Sequence, residues 1–440
     1  MARLVCVLCV ALPLAGCASP VDGGDEIATP NGGEPAGGAA MSGAAGLGGI
    51  GGQEWVCIPD QPVCDGNRAT TCNTDGSGYL SDGTACGANE ACDQGACRCE
   101  PAHERCSAIG LETCGADGRW GEALPCGTAT PYCYAETCNA EPPSCAALPV
   151  SCGASSSESC CVSPMVKGGS FERDNDSSYP ATISSFRLDK YEATVGRFRS
   201  FVDAVVAGWL PPPGSGKHAH LNRGSGLSNS GAPGNELGWD TTWNASLPPL
   251  KADWDSTSYL ACDPDYATWT PSVGGNENLP INCVDWYEAA AFCIWDDGFL
   301  PSNAEGDYAA AGGNEQRLYP WGAEFPSGSA ALAVFGCYLN AGGNCTGLTN
   351  IAPVGSVVAG NGRYGQADLA GNVAEWFLDW DAPYSDSPCD DCAYLLPTSG
   401  RIQRGGSFFY YASLLPSTYH EGVPPEARSF DLGLRCARTP

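Results

Sequence analysis

The chain has 440 residues, 43% of them hydrophobic, which is enough for two or three domains with a core in at least one. Its 21 basic residues are outnumbered by 50 acidic ones, giving a formal charge of −29 that argues against a nucleic-acid partner. Such an acidic surplus serves solubility and, in a minority of proteins, divalent cation binding.

Residues 1–16 read as a secretion signal, with Arg3 followed by an apolar stretch too short to span a bilayer. The stretch ends in Leu14-Ala15-Gly16-Cys17, which resembles a bacterial lipobox, so Cys17 is the expected lipidation site and its acyl chains the expected link to a membrane. Ala18 and Ser19 follow, with no aspartate, and by resemblance to bacterial sorting rules this favours the outer membrane over the inner. Residues 17–53 are rich in Gly and Ala, cannot bury a core, and are expected to form a tether reaching on the order of 30 Å.

Residues 54–162 are cysteine-dense, holding 16 of the 27 cysteines. A loose repeat relates TTCNTDGSGYLSDGTACGANEACDQGACRC at 70–99 to ETCGADGRWGEALPCGTATPYCYAETC at 112–138, each with a D-G pair suited to a hairpin turn. With so little aliphatic content these units need disulfides; regular paired C-x-x-C knuckles, the mark of zinc, are absent.

Residues 163–440 form the expected globular domain. FRLDKYE at 186–192 alternates like a strand, and Thr194 is placed to cap a helix whose Val195, Phe198, Phe201, Val202, Val205 and Val206 share a face. A second helix is predicted over 284–295, with Ala289, Phe292 and Cys293 inward. Between them, 211–271 reads as a long Gly/Pro/Asn/Trp-rich loop. Trp239, Trp243, Trp254, Trp269, Trp286 and Trp295 could line a ligand groove there or fill the core. His218 and His220 lie in a Gly/Ser stretch and are expected as exposed loop residues, at most a weak metal site. Of the eight cysteines here, Cys337 with Cys345 and Cys389 with Cys392 are the expected local pairs, leaving Cys262, Cys283, Cys293 and Cys436. The Cys389-Asp-Asp-Cys392 spacing also invites a redox dithiol, but two adjacent carboxylates would raise a thiol pKa rather than lower it.

Five motifs lie in register along this domain: LPSNAEGDYAAAGG at 300–313, YPWG at 319–322, DLAGNVAEW at 368–376, RIQRGGSFFYY at 401–411 and DLGLRC at 431–436. Together they resemble the formylglycine-generating enzyme family, the sulfatase-modifying factors, over residues 165–438. The resemblance implies an α+β fold with little regular secondary structure, a distant variant of the C-type lectin fold. It also implies a disulfide between Cys293 and Cys436, which leaves Cys262 with Cys283. A loop of about 143 residues would then be closed, worth roughly 5 kcal/mol in the chain-entropy model.

The same resemblance bears on chemistry. The family's copper site needs two thiolates, soft ligands for Cu(I), and Tyr410 and Leu415 stand where they should be. Copper is therefore not expected. Ser407 matches the family's active-site serine, without a base or metal beside it. Asn303, Gly306 and Ala311 replace a Glu, a Trp and an Arg, and Ala374 replaces a Trp, all in the part that shapes the substrate groove. A calcium site is implied at Asp368, Gly371, Val373 and Glu375, two carboxylates and two main-chain carbonyls from one Gly-containing turn. A second, weaker one maps onto Asn340, Ala341, Thr346 and Leu348, with Thr346 in place of the aspartate. The expected function is a surface-anchored binding or structural lipoprotein with a glycan or peptide ligand. The enzymatic alternatives are a cysteine-independent extracytoplasmic oxidoreductase of the siderophore-maturation type, or sulfatase maturation itself.

Overall fold

The computed structural model describes residues 56–440 apart from 88–89, 107–109, 128, 135, 325–330, 340–343 and 385–387. The signal, Cys17, the tether, and Asn340 and Ala341 of the weaker calcium set lie outside the described residues. Among the described residues no helix is long and apolar enough to cross a membrane.

Two small modules lead the described chain, and their disulfides follow one pattern. Cys57–Cys72, Cys64–Cys92 and Cys86–Cys97 in the first match Cys99–Cys114, Cys106–Cys133 and Cys126–Cys138 in the second. The repeat therefore begins at Cys57 and Cys99, upstream of the part legible in the sequence. Each D-G pair makes a tight turn, with Gly76 and Gly118 at φ 73° and 71°, and the flanks bridge as Cys72 with Tyr79 and Cys114 with Trp120. At the junction Glu90 accepts from Trp120 Nε1 (2.6 Å) and Arg105 (3.1 Å), and the Arg105 guanidinium lies 4.3 Å from the Trp120 ring centroid.

Residues 143–161, closed by Cys145–Cys161 and Cys152–Cys160, pack with the globular domain rather than with the repeats. Within that domain α1 (Val195–Val206) starts where Thr194 accepts from the Arg197 N–H, and its Val195, Phe198, Phe201, Val202 and Val205 are buried. Then come a single turn, α2 (Lys251–Trp254), and α3 (Trp286–Trp295), capped by Asp285 and Glu288 and two residues shorter than predicted. Last is α4 (Asn303–Ala310), started by a Ser302–Glu305 capping box. The strand predicted at 186–192 is also shorter, Phe186–Leu188. Phe198 stacks on Phe292 at 5.4 Å, joining α1 to α3.

Trp239, Trp254, Trp269 and Trp286 are buried in this core and Trp243 and Trp295 pack against it. Four of the six fill the interior and the other two pack against it. The long loop folds inward because it carries these rings, not because it has regular structure.

A four-stranded sheet holds the later motifs, in the order His420–Val423, Arg401–Arg404, Ala374–Trp380 and Leu432–Gly433. Glu375 pairs with Arg404 antiparallel and with Gly433 in parallel, so the three C-terminal motifs meet at one edge. The chain ends on a short strand, Ala437–Arg438, that pairs with Phe186–Leu188. The fold is α+β with little regular structure, as expected.

Candidate functional site

Past the strand Arg401–Arg404 the chain turns sharply at Gly405 and Gly406. A side chain at Gly406, φ 63°, would meet the Leu414 carbonyl at 2.7 Å, so glycine is required there. Ser407 is fully buried, donates to Asp431 Oδ2 at 2.9 Å and accepts from the Phe409 N–H at 3.2 Å. Its oxygen is consumed in tying the RGGS turn to the DLGLRC segment. Leu415 is 1% exposed and packs with Tyr319, Ala333, Phe335, Ala370 and Ala412. Tyr410 is half-buried, and its carbonyl accepts from the Gly336 N–H at 2.7 Å. Burial, then the charges of Asp431 and Glu421, push its phenol pKa up.

The surface beside these positions is aromatic. Tyr266 stacks on Phe430 at 5.0 Å, Phe409 meets Phe430 edge-on at 5.1 Å, and Phe409 and Tyr411 are 39% and 79% exposed. All 24 described cysteines are in disulfides, including Cys262–Cys283, Cys293–Cys436, Cys337–Cys345 and Cys389–Cys392, so no free thiol occurs among the described residues.

The altered groove positions have a packing cause. A Cβ on Gly306 would lie 2.1 Å from Phe377 Cε1, so the Phe377 ring already occupies the space a larger residue at 306 would take. Asn303 now accepts from Arg404 Nε, while its N–H donates to Asp379 at 2.7 Å. Arg404 is buried and also reaches Ser417 O (2.8 Å) and Asp174 (3.3 Å). Ala311 and Ala374 are buried. The cavity left between Arg404, Arg435, Glu375 and Phe377 measures about 20 Å³, room for about one water.

The DLAGNVAEW turn gathers buried charge. Asp368 Oδ2 accepts from the Gly355 N–H at 2.5 Å. Both Glu375 oxygens take Arg435, at 2.9, 3.0 and 2.6 Å, and Arg435 also donates to the carbonyls of Asp189, Lys190 and Ala367. Glu192, just ahead of α1, accepts from Asn372 Nδ2 (2.6 Å) and the Val373 N–H (3.0 Å). Burial pushes Asp368 up to about 6, and burial with the charges of Asp368 and Glu375 pushes Glu192 well above the carboxylate range. Among the described residues no donor reaches the buried carbonyl of Gly371 or Val373. Buried carbonyls are nearly always paired, so two unpaired ones beside Asp368 and Glu375 suit a cation that takes hard oxygen ligands. Glu375 Oε1 takes Arg435 twice, whereas Oε2 takes it once and keeps a lone pair. At the weaker set, the Thr346 and Gly347 N–H groups donate to Asn350 Oδ1.

The histidines depart from expectation. His218 is fully buried, with Nδ1 3.0 Å from Glu236 and Nε2 3.0 Å from Glu305. Its neighbour His220 is half-buried, stacks on Phe299 at 5.8 Å and has no hydrogen-bond partner on either ring nitrogen. A HAH sequence carries no sign of this, because Glu236 and Glu305 approach from distant elements. Burial lowers the His218 pKa, but the charges of Glu305 and Glu236 outweigh it and raise the group to about 10. The folded pKa exceeds the unfolded value of about 6.5, so this stabilisation is complete below pH ~6.5 and is lost as pH rises toward 10. His218→Gln is expected to flatten stability over that interval, read from melting temperatures at pH 6 and pH 10. An unchanged slope would contradict the ionised bridge.

Residues 154–440 match the family model described as the sulfatase-modifying factor enzyme 1-like domain. A formylglycine-generating enzyme from Thermomonospora curvata is 29% identical over 276 residues, covering 59% of this chain and 83% of that protein. The mouse protein called inactive C-alpha-formylglycine-generating enzyme 2 is 32% identical over 169 residues, covering 38% of this chain and 52% of its own. The solved structure of PvdO from Pseudomonas aeruginosa aligns with a TM-score of 0.40 at 19% identity, over 63% of this chain and 93% of that one.

Proposed function

Because this chain belongs to the sulfatase-modifying factor family, we propose that it is a lipid-anchored binding protein that keeps the family's scaffold and calcium turn without the family's thiol chemistry. The observation that carries this reading is Leu415, which fills an apolar core where a copper thiolate would stand, beside a half-buried Tyr410. Neither side chain is a ligand for Cu(I). The chain resembles relatives named formylglycine-generating enzyme and relatives named inactive formylglycine-generating enzyme, and the missing thiols favour a likeness to the second kind.

The aromatic surface of Tyr266, Phe409, Tyr411 and Phe430 is the binding face. Aromatic side chains offer large contact area at little entropic cost, and an acidic chain disfavours anionic ligands. Neutral glycans are the ligand class that fits best. Lipidation at Cys17, with the tether, would hold this face away from the outer membrane. The test is a neutral-glycan array probed with the wild type and with Phe409→Ala/Tyr411→Ala. Binding lost in the double variant supports the reading, and binding indifferent to it, or none, opposes it.

A further inference from the structure

Glu192 comes from a different part of the chain than the turn it serves, and it is 0% exposed. The N–H and C=O of one trans peptide unit point in opposite directions. Glu192 takes the Val373 N–H at 3.0 Å, and the carbonyl of the same unit, on Asn372, accepts from the Phe408 N–H at 2.7 Å. The neighbouring units are anchored too, with the Asn372 N–H on Val334 O and the Ala374 N–H on Asp431 O, both at 2.8 Å. Those anchors turn the Gly371 and Val373 carbonyls the other way, where no described donor meets them. Glu192 grips the centre of this turn twice, through its backbone and through Asn372 Nδ2 at 2.6 Å.

Resting on the calcium reading above, we propose that Glu192 is a positioning residue of the calcium site: it holds the 372–373 peptide so that the Gly371 and Val373 carbonyls face the ion. It acts through the turn.

The experiment titrates calcium chloride into the full chain by calorimetry and records melting temperature in calcium and in EDTA. Wild type is expected to bind calcium and to melt higher in it. Glu192→Gln is expected to weaken calcium by roughly 10- to 100-fold, the usual effect of losing a group that supports a metal ligand, and to shrink the calcium-induced shift. Asp379→Asn removes a buried carboxylate elsewhere and is expected to lower both melting temperatures alike, with affinity unchanged. Wild-type affinity in Glu192→Gln, or an equal loss in Asp379→Asn, overturns the proposal. No calcium binding by wild type overturns the calcium reading beneath it. If Glu192→Gln fails to fold, Asn372→Gly keeps the left-handed backbone at φ 62° and removes one of the two grips; unchanged affinity there overturns the proposal equally.

Discussion

Asp296→Ala is expected to destabilise the domain by about 3–5 kcal/mol, the usual cost of stranding a buried partner charge. Asp296 is 0% exposed and lies 2.5 Å from Arg197 Nη2 and 2.7 Å from Arg438 Nη2. Asp189 completes the network at 2.9 Å from Arg197 and 3.0 Å from Arg438. Two acids and two bases balance, which is why the set survives in the interior. Removing one acid leaves two buried guanidinium groups with a single counter-charge. The same carboxylate accepts the Ser144 N–H at 2.9 Å, so its loss should also free residues 143–161 from the domain. Chemical denaturation would give the energy, and limited proteolysis would show early cleavage in that segment. A loss under ~1 kcal/mol would mean the charges are solvated and the network is not structural.

Opening the Cys293–Cys436 disulfide with paired serines is expected to cost a similar amount, roughly 5 kcal/mol, because it closes 143 residues. Both sulfurs are fully buried, and the bond ties the end of α3 to the strand Ala437–Arg438 that completes the sheet with Phe186–Leu188. Denaturant midpoints of wild type and variant would read the difference, and a change below ~1 kcal/mol would show that packing alone holds the closure. Asp296 follows Cys293 by one turn and Arg438 follows Cys436 by two residues. The two lesions therefore strike one joint, and the combined variant should fall short of the sum.

How legible this was in the sequence depended on whether a residue's partner was local. Thr194 and the apolar spacing of α1 sit within one helix and could be read directly. The start of α4 was also written locally, as Ser302 and Glu305 in a capping box, although the stretch NAEGDYAA lacks an apolar stripe. Tyr410 and Leu415 were placed by register with the flanking motifs, so the missing thiols were visible while the aromatic surface beside them was not: Tyr266 and Phe430 arrive from segments far apart in the chain. His218, Glu192 and the Asp189–Arg197–Asp296–Arg438 network had no local signal at all. Their partners lie up to 249 residues away, and a buried charge is recognisable only once its counter-charge is beside it.

The replacement of Gly306 shows the same limit from the packing side. A missing tryptophan reads in the sequence as a vacancy in the groove, whereas the structure fills the place with Phe377. Leu415 is likewise buried among Tyr319, Ala333, Phe335, Ala370 and Ala412.

Oxidation of a peptide cysteine to an aldehyde tests this account most directly. The purified protein would be incubated with copper, oxygen and a sulfatase-motif peptide, and the peptide followed by mass spectrometry. With Tyr410 and Leu415 in place of both thiols, the account predicts no conversion above a control without protein. Copper-dependent, protein-dependent formation of the aldehyde would contradict it.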